Sequence, residues 1–209
     1  MPPLVKICGL KTPEDVDAAI RLGATHIGLN LYEPSPRYVD LKTAAELRKC
    51  AEGRVKVALL LVNASQIATA EALGKVRPDI VQFHGSEAPE WVAAVKRSIP
   101  AEVWKAVGLK DAGTLDRIRQ YDGAVDRILF DAPAQAMPGG TGTRFDWSLL
   151  VNHRHSIDWG IAGGLTPANV AEALAATGAP LVDVSSGVES APGVKDMDKI
   201  AAFLKAAGR

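Results

Sequence analysis

Val5-Lys6-Ile7-Cys8-Gly9 and Ile128-Leu129-Phe130-Asp131 are two apolar runs that each end on one reactive side chain, a thiol in the first and a carboxyl in the second. Short β-branched runs like these recur at intervals of roughly 25 residues and alternate with longer stretches of helical periodicity, the pattern of repeated βα units. Eight units can be counted, with strands predicted near 5–8, 26–31, 55–62, 80–84, 103–107, 127–131, 158–162 and 181–184. Eight nearly equal units favour an α/β (β/α)8 TIM barrel of eight parallel strands over an open doubly wound sheet. In a closed parallel barrel the C-terminal strand ends share one face, so Cys8 and Asp131 are expected to meet in one pocket.

Helix starts are legible between the strands. Thr12-Pro13 and Thr166-Pro167 each set a capping hydroxyl before a proline whose fixed φ suits the first helical position. In the first helix Val16, Ala19 and Ile20 mark one face and Gly23 ends it; Val170, Leu174 and Gly178 repeat the arrangement in the seventh. The sixth unit is the exception, because a glycine- and proline-rich loop, 132–144, separates its strand from a short helix near Asp146. Loops of that length usually carry function, and this one is expected to close over a bound substrate.

Composition narrows the partner. The 209 residues are 47% hydrophobic, enough for a sizeable core, and one compact domain over 1–209 is expected. Lys plus Arg and Asp plus Glu both number 24, so no net field draws the chain to nucleic acid or to an anionic membrane. The four tryptophans are scattered without a basic face, which offers no stacking platform for nucleic acid. The two cysteines, Cys8 and Cys50, lack metal-ligand spacing, so reduced thiols and no metal are expected. Neither a secretory leader nor a membrane-length apolar run is visible, and a cytoplasmic protein with a small-molecule partner fits.

Several residue patterns carry chemistry. Gly163-Gly164 follows the seventh strand and Ser185-Ser186-Gly187 the eighth, and loops in those two units are the usual phosphate site of barrel enzymes. Either alone is an ordinary tight turn; together, glycine backbone and exposed N–H groups suit an anion. Cys8 closes the first strand, and buried strand cysteines are commonly inert; work as a base needs its pKa lowered by cations or by the substrate's own charge. Lys6 alternates to the same side of the strand, where it either assists Cys8 or is a satisfied interior lysine. Asp131 has apolar neighbours that would raise its pKa enough to hold a proton, which suits a general acid; the alternative job is a turn cap. Arg37, in Ser35-Pro36-Arg37-Tyr38, offers a planar fork to a carboxylate. His84 and Asp183 stand at or near further C-terminal strand ends.

Taken together, Lys6-Ile7-Cys8-Gly9, Ser35-Pro36-Arg37-Tyr38, Gln82-Phe83-His84-Gly85, Phe130-Asp131, Gly139-Gly140-Thr141-Gly142 with Phe145-Asp146-Trp147, Ala162-Gly163-Gly164-Leu165 and the run from Asp183 to Glu189 resemble the phosphoribosylanthranilate isomerase family. Order and spacing match along nearly the whole chain. The resemblance implies a (β/α)8 barrel of tryptophan biosynthesis that converts N-(5-phosphoribosyl)anthranilate into 1-(2-carboxyphenylamino)-1-deoxyribulose 5-phosphate by an Amadori rearrangement, without metal or organic cofactor. It implies that Asp131 protonates the ribose ring oxygen and opens the ring to a Schiff base, and that Cys8 then removes the C2 proton. By the same carry-over Arg37 holds the anthranilate carboxylate; Gly163, Gly164, Ser185, Ser186 and Gly187 bind phosphate; and Gln82, His84 and Asp183 line the pocket.

Gly28-Leu29-Asn30-Leu31-Tyr32 departs from that family's usual glycine followed by phenylalanines, and Phe83 stands where an aliphatic residue is commoner. Two other functions stay open at this point: a catalytically silent phosphate-binding barrel, and a related sugar-phosphate isomerase with histidine-pathway activity. The second typically pairs two aspartates, whereas this first strand ends in Cys8. Monomer and homodimer are equally compatible with the sequence.

Overall fold

In the computed structural model, which describes residues 2–133, 146–151 and 153–209, eight parallel strands close into a barrel in sequence order. They are β1 (Leu4–Cys8), β2 (His26–Asn30), β3 (Lys56–Leu61), β4 (Ile80–Phe83), β5 (Glu102–Gly108), β6 (Arg127–Asp131), β7 (Asp158–Ile161) and β8 (Leu181–Val184). Closure is made where β8 pairs with β1, Asp183 beside Lys6 and Val184 beside Ile7.

Strand alternation sorts the side chains into two cores. Val5, Ile7, Leu29, Leu59, Val81, Phe83, Phe130, Val182 and Val184 belong to the larger cluster, which the helices cover. Ala58, Ile80, Trp104, Ala106, Leu129 and Leu181 form a separate small cluster that plugs the barrel interior. Lys6, Cys8, Gln82, Asp131 and Asp183 share the parity of that inner set, and all five are buried. The same alternation that fills the barrel therefore aims these polar groups inward and upward.

The surrounding helices are α1 (Pro13–Arg21), α2 (Leu41–Ala51), α3 (Gln66–Val76), α4 (Pro89–Ser98), α5 (Ala112–Arg117), α6 (Val170–Thr177) and α7 (Met197–Ala206). Thr12 caps α1 by accepting the Asp15 N–H at 3.1 Å, as its place before Pro13 predicts. The second Thr-Pro pair behaves differently. Thr166 makes no side-chain cap; Asn169 Oδ1 instead accepts the Thr166 N–H at 2.8 Å, and a turn through 167–169 precedes α6. Asn169 Nδ2 also donates to Gly164 O at 2.9 Å, so the turn is used to pin the glycine loop. Gly178 ends α6 in the left-handed region at φ 66°, its N–H on Leu174 O.

Among the described residues, the sixth unit carries a 3-10 turn, Trp147–Leu150, capped by Asp146. Most of loop 132–144, with Gly139-Gly140-Thr141-Gly142 and Phe145, lies outside the described residues, and so does its expected closure. After β8 the chain adds a small antiparallel ribbon, β9 (Glu189–Ala191) with β10 (Val194–Lys195), before α7. Among the described residues no helix is long and apolar enough to cross a membrane.

Candidate active site

One cavity at the C-terminal face is lined by Cys8, Arg37, Gln82, His84, Asp131 and Asp183, and also by Gly163, Gly164, Ser185, Ser186 and Gly187. Every candidate residue from the sequence is thus brought to one place.

Cys8 sits at the top of β1 with Gly28 beside it on β2. A methyl group on Gly28 would lie 2.6 Å from the Cys8 Sγ, so a glycine there makes room for the thiol. Burial pushes the thiol pKa up from its ordinary value; Lys6 opposes this and Asp183 reinforces it. The Lys6 ammonium is fully buried and 2.8 Å from Asp183 Oδ2. Burial works against that charge, but Asp183 and Cys8 win and hold its pKa above the usual lysine value. Lys6 is therefore both a satisfied interior lysine and the cation that acts on Cys8. Lys11, the charge nearer in sequence to the pocket mouth, turns instead to Pro36 O at 3.2 Å.

Burial outweighs the Lys6 and Lys195 ammoniums, so of the ways of lowering the Cys8 pKa that the sequence left open, the free protein's own cations do not suffice. The rate of iodoacetamide labelling at Cys8 is expected to keep rising with pH beyond the range where a free thiol such as N-acetylcysteine levels off. The Lys6→Met variant should move the Cys8 midpoint higher still, because it removes the group that lowers it. A Cys8 midpoint at or below that of the free thiol would contradict this electrostatic account.

Asp131 has different surroundings from those its neighbours suggest. Phe130 packs outward into the helix-covered core, since adjacent strand residues face opposite sides. The carboxyl meets polar groups instead: Oδ2 lies 3.0 Å from His84 Nε2, and Oδ1 accepts the Ala132 N–H at 2.7 Å. That contact sets the His84 ring against the carboxyl. Of the remaining interior groups, Gln82 Oε1 and Asp183 Oδ1 are buried without a hydrogen-bond partner among the described residues. Such acceptors are suited to hydroxyl donors of a ligand.

Arg37 is held more firmly than a solvated loop arginine. Its Nε and Nη2 donate to Glu189 Oε1 and Oε2 at 2.7 and 2.8 Å, a two-point clamp that leaves the Nη1 edge for the cavity. The preceding turn is fixed by Asn30, whose Nδ2 donates to Ser35 Oγ at 3.1 Å and whose Oδ1 accepts the Tyr32 N–H at 2.8 Å. Ser35 Oγ in turn accepts the Arg37 N–H at 3.2 Å. The unusual second strand thus contributes an amide that shapes the Arg37 loop, a role the sequence left unread.

At the other side of the cavity Gly163 and Gly164 take positive φ of 73° and 65°. A methyl group on Gly187 would fall 1.8 Å from Leu165 O, so the loops after β7 and β8 touch backbone to backbone at that point. The N–H groups of Gly164, Ser186 and Gly187 make no hydrogen bond to other described residues. Together they form a concave set of donors suited to an anion.

Glu189 and Lys195, both buried, were missed at the sequence level, as was the buried pair Glu87–Lys105 at 3.2 Å beneath the loop after β4. Glu189 is part of a quoted motif, but its partner Arg37 is 152 residues away and nothing local points to it. No group of three or more His, Cys, Asp or Glu side chains able to hold a metal ion occurs among the described residues.

The sequence model of the family described as N-(5'-phosphoribosyl)anthranilate (PRA) isomerase matches residues 5–206. A relative from Erythrobacter litoralis with the name N-(5'-phosphoribosyl)anthranilate isomerase is 56% identical over 204 residues, covering 98% of both chains. The crystal structure of phosphoribosyl anthranilate isomerase from Thermotoga maritima superposes with a TM-score of 0.89 at 33% identity, covering 99% of this chain and 98% of that one. Another crystal structure of such an isomerase, in complex with reduced 1-(o-carboxyphenylamino)-1-deoxyribulose 5-phosphate, gives a TM-score of 0.87 at 31% identity and the same coverage.

Proposed function

The chain belongs to the N-(5'-phosphoribosyl)anthranilate isomerase family, and from that premise we propose that Asp131 and Cys8 are the acid and the base of its reaction. The protein catalyses the Amadori rearrangement of N-(5-phosphoribosyl)anthranilate to 1-(2-carboxyphenylamino)-1-deoxyribulose 5-phosphate in tryptophan biosynthesis. The observation that carries the residue roles is that Cys8 on β1 and Asp131 on β6 line the same cavity, with the glycine loops at its rim.

Asp131, working with His84, gives its proton to the ribose ring oxygen. The C1–O bond breaks, the oxygen leaves as the C4 hydroxyl, and the nitrogen lone pair forms a cationic C1=N bond. That cation withdraws electrons from C2 and makes its hydrogen acidic. Cys8, as thiolate, takes the C2 proton, and the C2–H electrons form the C1=C2 bond of an enolamine, which tautomerises to the ketone. Because burial raises the pKa of the free thiol, the positive charge created by ring opening is what draws it down; the thiol proton passes to solvent in the open cavity, and the acid step so prepares the base step.

Lys6 supplies a fixed positive charge near the thiolate, and Asp183 both anchors Lys6 and keeps Oδ1 for a sugar hydroxyl. Gln82 offers a second acceptor. The free edge of Arg37 receives the anthranilate carboxylate. Gly163, Gly164, Ser185, Ser186 and Gly187 receive the phosphate through backbone N–H groups, without a lysine.

The test is turnover of N-(5-phosphoribosyl)anthranilate, followed by loss of its fluorescence, in wild type and site variants. Gly187→Ala is expected to raise KM through weaker phosphate binding, because the added methyl cannot fit against Leu165 O without moving the two loops apart. The effect should be roughly tenfold or more in KM and also in the Kd of inorganic phosphate. Unchanged phosphate affinity would remove these loops from the phosphate site.

A further inference from the structure

Beyond the cavity wall, the ribbon β9–β10 lies across the two loops that carry the proposed ends of the substrate site. Glu189, on β9, grips Arg37 through both carboxylate oxygens. The same carboxylate accepts from Lys195 Nζ at 2.8 Å and from the Gly193 N–H at 3.1 Å, which uses nearly all of its lone pairs. Lys195 Nζ, fully buried, donates onward to Ser185 O at 3.0 Å. Lys199 Nζ fixes the other side of β9 by donating to Glu189 O at 2.7 Å. One continuous chain of charge-assisted bonds, buried as far as Lys195, therefore runs from Arg37 through Glu189 and Lys195 to the first residue of the Ser185-Ser186-Gly187 loop.

The ribbon turn is also tight against the Arg37 loop. A methyl group on Gly193 would fall 2.2 Å from Pro36 O, so the two segments touch by backbone. None of this is needed to close the barrel, since β8 already pairs with β1. A buried ion network is costly unless fully paired, and its usual return is a fixed geometry rather than stability. Burial opposes the charge on Glu189, yet Arg37 and Lys195 hold its pKa below the usual carboxylate range; burial lowers that of Lys195.

We propose that Glu189 and Lys195 are positioning residues that splint Arg37 to the Ser185 loop, so that the group receiving the substrate's carboxylate and the loop receiving its phosphate are held at one fixed separation. The proposal deepens the reading of Arg37 and of the phosphate loops given above and rests on it. In physical terms the splint makes the enzyme measure its substrate from end to end. A ligand with both anions at the right span gains both contacts, and one lacking the carboxylate gains only the second.

The test uses two probes, the reduced product analogue 1-(o-carboxyphenylamino)-1-deoxyribitol 5-phosphate and its counterpart without the carboxyl group, with Kd measured by calorimetry alongside KM and kcat. Wild type is expected to prefer the carboxylated probe. Glu189→Gln should reduce that preference roughly 10- to 100-fold, raise KM by a comparable factor, and leave the Kd of the decarboxylated probe within about threefold. Lys195→Met should reduce the preference and also weaken inorganic phosphate, because its link ends on Ser185. Should Glu189→Gln fail to fold, Glu189→Asp, which keeps the charge but shortens the reach to Arg37, carries the same comparison.

Equal weakening of both probes by Glu189→Gln, or no weakening of either, would overturn the splint and leave Arg37's role standing. Absence of any preference in wild type would instead remove Arg37 from carboxylate binding, and the splint with it.

Discussion

Replacing Cys8 by alanine is expected to lower kcat for N-(5-phosphoribosyl)anthranilate by roughly 10²- to 10⁴-fold, or about 3–5 kcal/mol of transition-state stabilisation. The variant loses the group at the end of β1 that takes the proton from C2 in the proposed reaction. Lys6 cannot substitute, because its ammonium is charged and committed to Asp183 at 2.8 Å. The fold should persist: the thiol borders the open cavity and leaves a small gap rather than a void in either apolar cluster. Phosphate affinity should therefore stay within about twofold of wild type, since no backbone donor moves. Turnover near the wild-type level would reject Cys8 as the base.

Asp131→Asn should cause a loss of similar size, roughly 10²- to 10⁴-fold in kcat, by removing the proton that opens the ring. Asparagine keeps the shape and can still meet His84 Nε2 and the Ala132 N–H, so KM is expected to change much less than kcat. His84 limits what is lost only if it can deliver its own proton to the ring oxygen. The His84→Ala variant of the Asp131→Asn protein decides that point: a further fall in kcat assigns His84 a proton-carrying share, and no further fall confines it to holding Asp131. A KM increase without a kcat decrease in Asp131→Asn would make Asp131 a binding group and contradict the acid assignment.

Regularly spaced β-branched runs made the strands readable, and their C-terminal ends placed Cys8, His84, Asp131 and Asp183 on one face of a barrel, to which the family resemblance added Gln82. The two glycine loops were readable for the same reason, because a barrel brings units seven and eight together. What failed to show was anything set by contacts across the rim. Apolar residues adjacent to Asp131 in sequence suggested an apolar environment, whereas alternation turns Phe130 away and delivers His84 from another strand. Arg37 looked like a free fork, but Glu189 occupies most of it. Lys6 could be read either as an aid to Cys8 or as a satisfied interior lysine, and its pairing with Asp183 beside the thiol makes it both. Thr166 had the right residue type for a cap, yet Asn169 captured that turn to hold Gly164. In each case the local sequence supplied the right element, and a partner from a distant unit decided how its side chain is used.

The account turns on two groups flanking one sugar, and a crystal structure of the protein with the reduced product analogue measures this directly. Cys8 Sγ should stand within roughly 3–3.5 Å of C2, and an Asp131 carboxyl oxygen within about 2.6–3.2 Å of the oxygen that leaves the ring. Finding C2 turned away from Cys8, with a different side chain against its hydrogen, would contradict it.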